Sequence, residues 1–322
     1  MSLTKIVVPI LDSRDVDTRE FDNVEVYLGK IEDEIAPPAP PACFPGAWYR
    51  KVVSSMDKWL GIEGVITLGE FTPDEARFNL DGKGRYMDNP SVYMGGKSLH
   101  ESDAGLGYNI MYPDSDTSYE LNYSTPKLGY RPFWRYIYKD ALDIGGNVTR
   151  REINSWNISN PKSYCYYYFP GDTIKMSVYS PLPNYLQLRI ELVKATQIPK
   201  YVEIRKRYNL KDDLPLDFYS PIFYSEGHGI NNAEFKRVNS IDQYGNEGFN
   251  AKPTNAKMSK ATWHEVYLYR RINGKLVKVP FTEDRYSSNI CPSIEAVSVD
   301  FENVDKTLGG ENITLHPGLY KL

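Results

Sequence analysis

His100-Glu101-Ser102-Asp103 carries the sharpest chemistry in the chain. In an extended backbone Glu101 and Asp103 project to one face, about 7 Å apart at roughly 3.3 Å per residue. Two carboxylates at that spacing can serve as acid and as nucleophile or base in glycoside cleavage. The same pair can instead satisfy loop amides or pair with Lys97 or an arginine. Gly95 and Gly96 precede the segment, and Gly105 and Gly107 follow it. Glycine inside a strand marks a bulge, a bend or the close approach of a ligand.

Aromatic residues are the second source of chemistry. Phe133-Trp134-Arg135-Tyr136-Ile137-Tyr138 puts Phe133, Arg135 and Ile137 on one strand face and Trp134, Tyr136 and Tyr138 on the other. A Trp-Tyr-Tyr ladder on a concave sheet would stack on sugar rings; between two sheets it would be core. Tyr93, His100, Trp134, Arg135, Tyr136, Trp263 and Glu265 form the candidate ligand-binding set, with Glu101 and Asp103 as candidate catalytic residues. The 26 tyrosines outnumber 12 phenylalanines and 5 tryptophans, which favours strand surfaces whose hydroxyls face water or a polar ligand.

Other chemistries find little support. Four histidines are scattered, and Cys43, Cys165 and Cys291 form neither a CxxC nor a Cys/His cluster. No metal site, redox pair or disulfide scaffold is expected. The acidic loops Asp12–Asp17 and Asp114–Asp116 lack EF-hand spacing and its glycine and read as solvated turns, so no cofactor is expected from them. Glycine-rich nucleotide loops, Gly-x-Ser-x-Gly and His-Glu-x-x-His are absent. A net charge of −4 with both signs interspersed argues against nucleic acid and against docking on anionic membranes. No apolar run approaches a membrane span, and Met-Ser-Leu-Thr-Lys at the start has no signal-peptide pattern, which leaves compartment and oligomeric state open.

The elements that position these residues read as strands. Ile174, Met176 and Val178 alternate with polar residues, as do Leu186, Leu188, Ile190 and Leu192, around a Pro/Asn loop. That is a β-hairpin over a core. Asn273-Gly274 marks another, since both residues tolerate positive φ. Trp48, Val52, Met56 and Trp59, followed by Gly61, predict a helix with a glycine cap. Thr72-Pro73-Asp74-Glu75 predicts a short helical turn, and Val202–Lys206 and Val24–Ile31 predict strands. Long helices between strands are missing, so the fold class is all-β: a two-sheet antiparallel sandwich of jelly-roll type with one or two short helices. Residues 1–46, ending in the Pro37–Pro41 connector, are expected to pack on a main body of residues 47–322.

Tyr168-Phe169-Pro170-Gly171-Asp172-Thr173-Ile174, the hairpin ending at Val193, and Trp263–Leu268 together resemble the concanavalin A-like lectin/glucanase jelly rolls over residues 60–302. The resemblance implies two curved sheets and a concave glycan-binding face, and it allows one structural Ca²⁺, which many lectin-like jelly rolls hold. Laminarinase-like members carry Glu-x-Asp-x-x-Glu on one strand; Glu101 and Asp103 match its first two positions, and Leu106 stands where the third carboxylate belongs. The expected function is therefore recognition of a polysaccharide without cleavage. A glycoside hydrolase or lyase, or a structural surface protein, is the alternative.

Overall fold

The computed structural model describes residues 16–110, 128–142, 148–155, 167–207 and 217–319. They form a two-sheet antiparallel β-sandwich. The first sheet has seven strands, in spatial order β15 (Tyr286–Cys291), β1 (Ala47–Ser54), β12 (Glu234–Gln243), β4 (Asp88–Lys97), β5 (Glu101–Ile110), β6 (Leu128–Leu142) and β7 (Val148–Ser155). The second has ten. Its main path is β10 (Phe218–Tyr219), β9 (Tyr185–Lys194), β8 (Thr173–Tyr179), β2 (Gly61–Thr67), β13 (Lys257–Ile272), β17 (Glu311–Leu315) and β16 (Val297–Asp300). Strand β11 (Phe223–Tyr224) pairs with β9, while β14 (Lys275–Pro280) and β3 (Phe71–Thr72) pair with β13.

Period-two alternation builds the core between the sheets. In the β8–β9 hairpin Met176 lies opposite Ile190 and Val178 opposite Leu188, and all four are fully buried. They meet Trp48, Val92, Met94, Leu106, Trp134 and Ile241 of the first sheet in one apolar cluster. Asn273 and Gly274 close the β13–β14 hairpin at φ 51° and 79°, the paired left-handed conformation of a type I′ turn. Polar contacts also cross the core. The buried Glu311 carboxylate receives Arg50 at 3.1 Å and Arg237 at 2.5 Å, and Trp263 Nε1 donates to Asn239 beside them.

Three expectations are corrected. The segment predicted as a helix is β1, with Gly61 opening β2 rather than capping anything. Residues 202–206 lie in the one α-helix, α1 (Pro199–Arg207), because Tyr201 and Arg205, one turn apart, reach Phe169 and Asp172. Residues 24–31 contribute a single bridge, Val26 to Lys278, instead of a strand. The helical turn near Thr72 occupies Glu75–Arg77, with Asp74 as its cap. Residues 12–15 of the first acidic loop, Cys165 and the 114–116 loop lie outside the described residues. Among the described residues no helix is long and apolar enough to cross a membrane.

Cys43 and Cys291 form a disulfide across 248 residues, a pairing the sparse cysteine count had argued against. Phe44, next to Cys43, stacks on Tyr49 of β1 with centroids 3.9 Å apart, and its backbone N–H donates to Tyr49 Oη. The segment before β1 is thus strapped across the outer surface of the first sheet.

Candidate functional site

The outward face of the first sheet is organised in rows set by strand register. One row reads Lys236, Gly95, Asp103, Arg135 across β12, β4, β5 and β6. Gly95 places no side chain in its middle, so Lys236 reaches over β4 to within 2.6 Å of Asp103 Oδ1 and also contacts Glu101. Arg135 donates to Asp103 Oδ2 at 2.9 and 2.7 Å from the other side. The second row reads Val238, Tyr93, Gly105, Phe133; Gly105 again leaves the gap, and the Tyr93 and Phe133 rings meet edge to face at 5.9 Å. Ser240, Ser91 and Gly107 form the third row, and Asp242 and Asn89 are paired in the fourth.

These rows floor a hollow of about 280 Å³. Phe44, Pro45 and Gly46 of the strap wall one side, and Tyr244, Glu247 and Gly248 of the loop after β12 wall another. Of the glycines in these rows, Gly107 lines the hollow, while Lys236 passes over Gly95 and Tyr93 lies against Gly105.

Charge in the hollow is tightly matched. Burial alone would raise the Asp103 carboxyl, but Lys236 and Arg135 outweigh it and hold that group well below the usual carboxylate range. Lys236 likewise lowers Glu101, against burial and the neighbouring Asp103. Burial would lower Lys236, yet Asp103 and Glu101 raise it above an ordinary lysine. Asp242 moves the opposite way. Burial raises its carboxyl, although the Ser91 and Ser240 hydroxyls donate to Oδ2 at 2.7 and 2.9 Å.

Of the residues singled out in the sequence, Tyr93, Glu101, Asp103 and Arg135 line this hollow together. Trp134 and Tyr136 do not. Even positions of β6 face the second sheet, so Trp134 packs near Phe218 and Tyr136 edges against Tyr224. His100, in the turn between β4 and β5, lies beside Tyr136 and 3.9 Å from Glu226. Trp263 is buried in the core from the other sheet. A register shift in β13 after Trp263 turns Glu265 outward there, where Tyr267 Oη donates to it. Sequence reasoning missed Phe44, Asn89, Ser91, Phe133 and Asp242 as members of the site; strand register brings the last four to Glu101 and Asp103, and the disulfide-linked strap brings Phe44. Among the described residues no three His, Cys, Asp or Glu side chains are grouped to hold a metal ion.

No family model matches the chain, and no curated protein matches it. Among solved structures it is similar to a scytalido-glutamic peptidase bound to a transition state analog inhibitor, with TM-score 0.42 and 8% identity over 84% of this chain and 98% of that one. It is also similar to SCP-B, a member of the eqolisin family of peptidases in a complex with the tripeptide Ala-Ile-His, with TM-score 0.38 and 10% identity over 84% and 98%. The beta-porphyranase of the human gut bacterium Bacteroides plebeius gives TM-score 0.22 and 6% identity over 84% and 75%. Likeness at this level carries no statement about chemistry.

Proposed function

We propose that the hollow on the outer face of the first sheet binds carbohydrate without cleaving it. The observation that carries this is the lining itself: the rings of Phe44, Tyr93 and Phe133 stand beside the carboxylates Glu101, Asp103 and Asp242 in one cavity. Rings give a sugar apolar faces to stack on, and carboxylate oxygens accept its hydroxyl protons. The concanavalin A-like resemblance is compatible with this as fold analogy only.

Cleavage through Glu101 and Asp103 is disfavoured by their ion pairs. A general acid must hold a proton at working pH, and Lys236 keeps both carboxyls ionised. Leu106, at the position of the missing third carboxylate, is buried on the core face.

Calorimetric titration against a broad panel of plant and bacterial polysaccharides tests the proposal. Binding is expected, with Phe133→Ala weakening it roughly tenfold, about 1.4 kcal/mol. Silence across the panel would remove it.

A further inference from the structure

The end of the hollow at Asn89 and Asp242 has a chemistry of its own. The two residues face each other across β4 and β12, so their Cβ atoms lie about 4.5–5.5 Å apart on one sheet face. Asn89 is 92% buried, given its 8% exposure, and its Oδ1 has no hydrogen-bond partner. A buried acceptor left unpaired costs roughly 1–3 kcal/mol, so it points to a donor that arrives with a ligand. Asp242 uses only Oδ2 for the serine hydroxyls. Among the described residues its other oxygen has no hydrogen-bond or ion-pair partner.

No cationic side chain of the hollow is bonded to this end. Lys236 is engaged by Glu101 and Asp103, and Arg135 by Asp103. The Ser91 and Ser240 hydroxyls point their protons at Asp242 or at each other. Glu247 on the rim adds a further negative charge. Beside the Asn89 amide NH₂, this end presents two acceptor groups, one of them a carboxylate that no cation of the hollow contacts. A group with several N–H donors and a positive charge satisfies them together, since an ammonium has three donors and no acceptor. Charge-assisted hydrogen bonds are roughly twice as strong as neutral ones.

We propose that Asn89 and Asp242 form a subsite for a protonated amine, so that the carbohydrate bound here is an amino sugar whose nitrogen is not acylated. The inference rests on the carbohydrate assignment and narrows it to a class. An acetylated nitrogen carries no positive charge to set against Asp242, and a uronate or sulfate would bring a like charge.

The test is titration of the intact protein with glucosamine oligosaccharides, their N-acetylated counterparts and gluco-oligosaccharides of equal length, at a pH where the amine is protonated. The amine-bearing series is expected to bind at least about tenfold more tightly. In Asp242→Asn that preference should disappear, so that the amine-bearing and gluco-oligosaccharide series bind with affinities within roughly twofold of each other. Equal affinity for the three series, or a preference that survives in both Asp242→Asn and Asn89→Leu, would overturn the subsite while leaving carbohydrate binding intact. Failure of every oligosaccharide to bind would overturn both.

Discussion

Lys236 decides the state of the hollow at the level of single residues. Its side chain is 4% exposed and touches two carboxylates, one of them 3% exposed. Replacing it by Met keeps the aliphatic stem and strips the charge, which leaves Asp103 with Arg135 alone. Breaking a buried pair from one side costs roughly 3–5 kcal/mol, so Lys236→Met should lose about that much in urea denaturation at pH 7. The sign of the pH dependence follows from Asp103. Its folded pKa is depressed, so its contribution is complete above the unfolded value of about 3.9 and is lost as pH falls through the folded value. The gap between wild type and Lys236→Met should therefore narrow below about pH 4. A gap that is constant from pH 7 to pH 3 would show that packing, not charge, is what Lys236 supplies. Asp242 carries the opposite sign. Its folded pKa is raised, so ionising it costs stability at neutral pH and nothing in acid. Asp242→Asn should raise the melting temperature at pH 7 and leave it unchanged below about pH 4, as differential scanning calorimetry at the two values would reveal.

At the level of elements, the glycines of β4 and β5 let neighbouring strands and side chains approach the sheet closely. A Cβ on Gly105 would lie 2.5 Å from the Tyr93 Cα and the Val92 carbonyl oxygen, and one on Gly95 would lie 2.0 Å from the Ser102 carbonyl oxygen. Both obstacles are backbone, which cannot swing aside. Gly105→Ala is expected to cost roughly 1–3 kcal/mol in thermal unfolding and to weaken sugar binding by displacing Tyr93. Near-wild-type stability would mean that the strands can separate there without loss. The sequence pattern already placed Glu101 and Asp103 on one face and flagged these glycines, because period two depends only on local backbone. It could not tell which face of β6 meets the second sheet, and so Trp134 and Tyr136 joined Arg135 in the ligand set while Phe133, which lines the hollow with Arg135, was left out. The helix expected around Trp48 failed for a related reason: residues four apart share a face in a helix and in a strand alike, so Trp48 and Val52 fit both. The aromatic and β-branched run Trp48-Tyr49 and Val52-Val53 settles for strand. In α1 the competing cue was present in Pro199 at the first helical position, but the alternation of Val202 and Ile204 masked it.

For the whole molecule, the strap before β1 is both a wall of the hollow and a covalent link. The β1–β15 pairing already sets Tyr49 opposite Cys291, so the sheet edge is formed by backbone hydrogen bonds whether or not the sulfurs are joined. What the disulfide adds is the fixing of Cys43, and with it Phe44, over Tyr49. Closing a loop this long removes freedom from the unfolded chain, and native disulfides typically contribute roughly 2–4 kcal/mol. No spacing rule could reveal a pairing across 248 residues, since it depends on β15 returning to lie beside β1. The Cys43→Ser/Cys291→Ser double variant should therefore melt at lower temperature than wild type while keeping the same far-ultraviolet β signature. Its affinity for sugar should also fall, because one ring of the wall is no longer held in place. A dithiol reductant should bring the wild type to the level of the variant and leave the variant unchanged. If the variant binds sugar as wild type does despite the lower melting temperature, the Phe44–Tyr49 stack and the Asn289 bond to the Pro41 carbonyl hold the wall without the sulfurs.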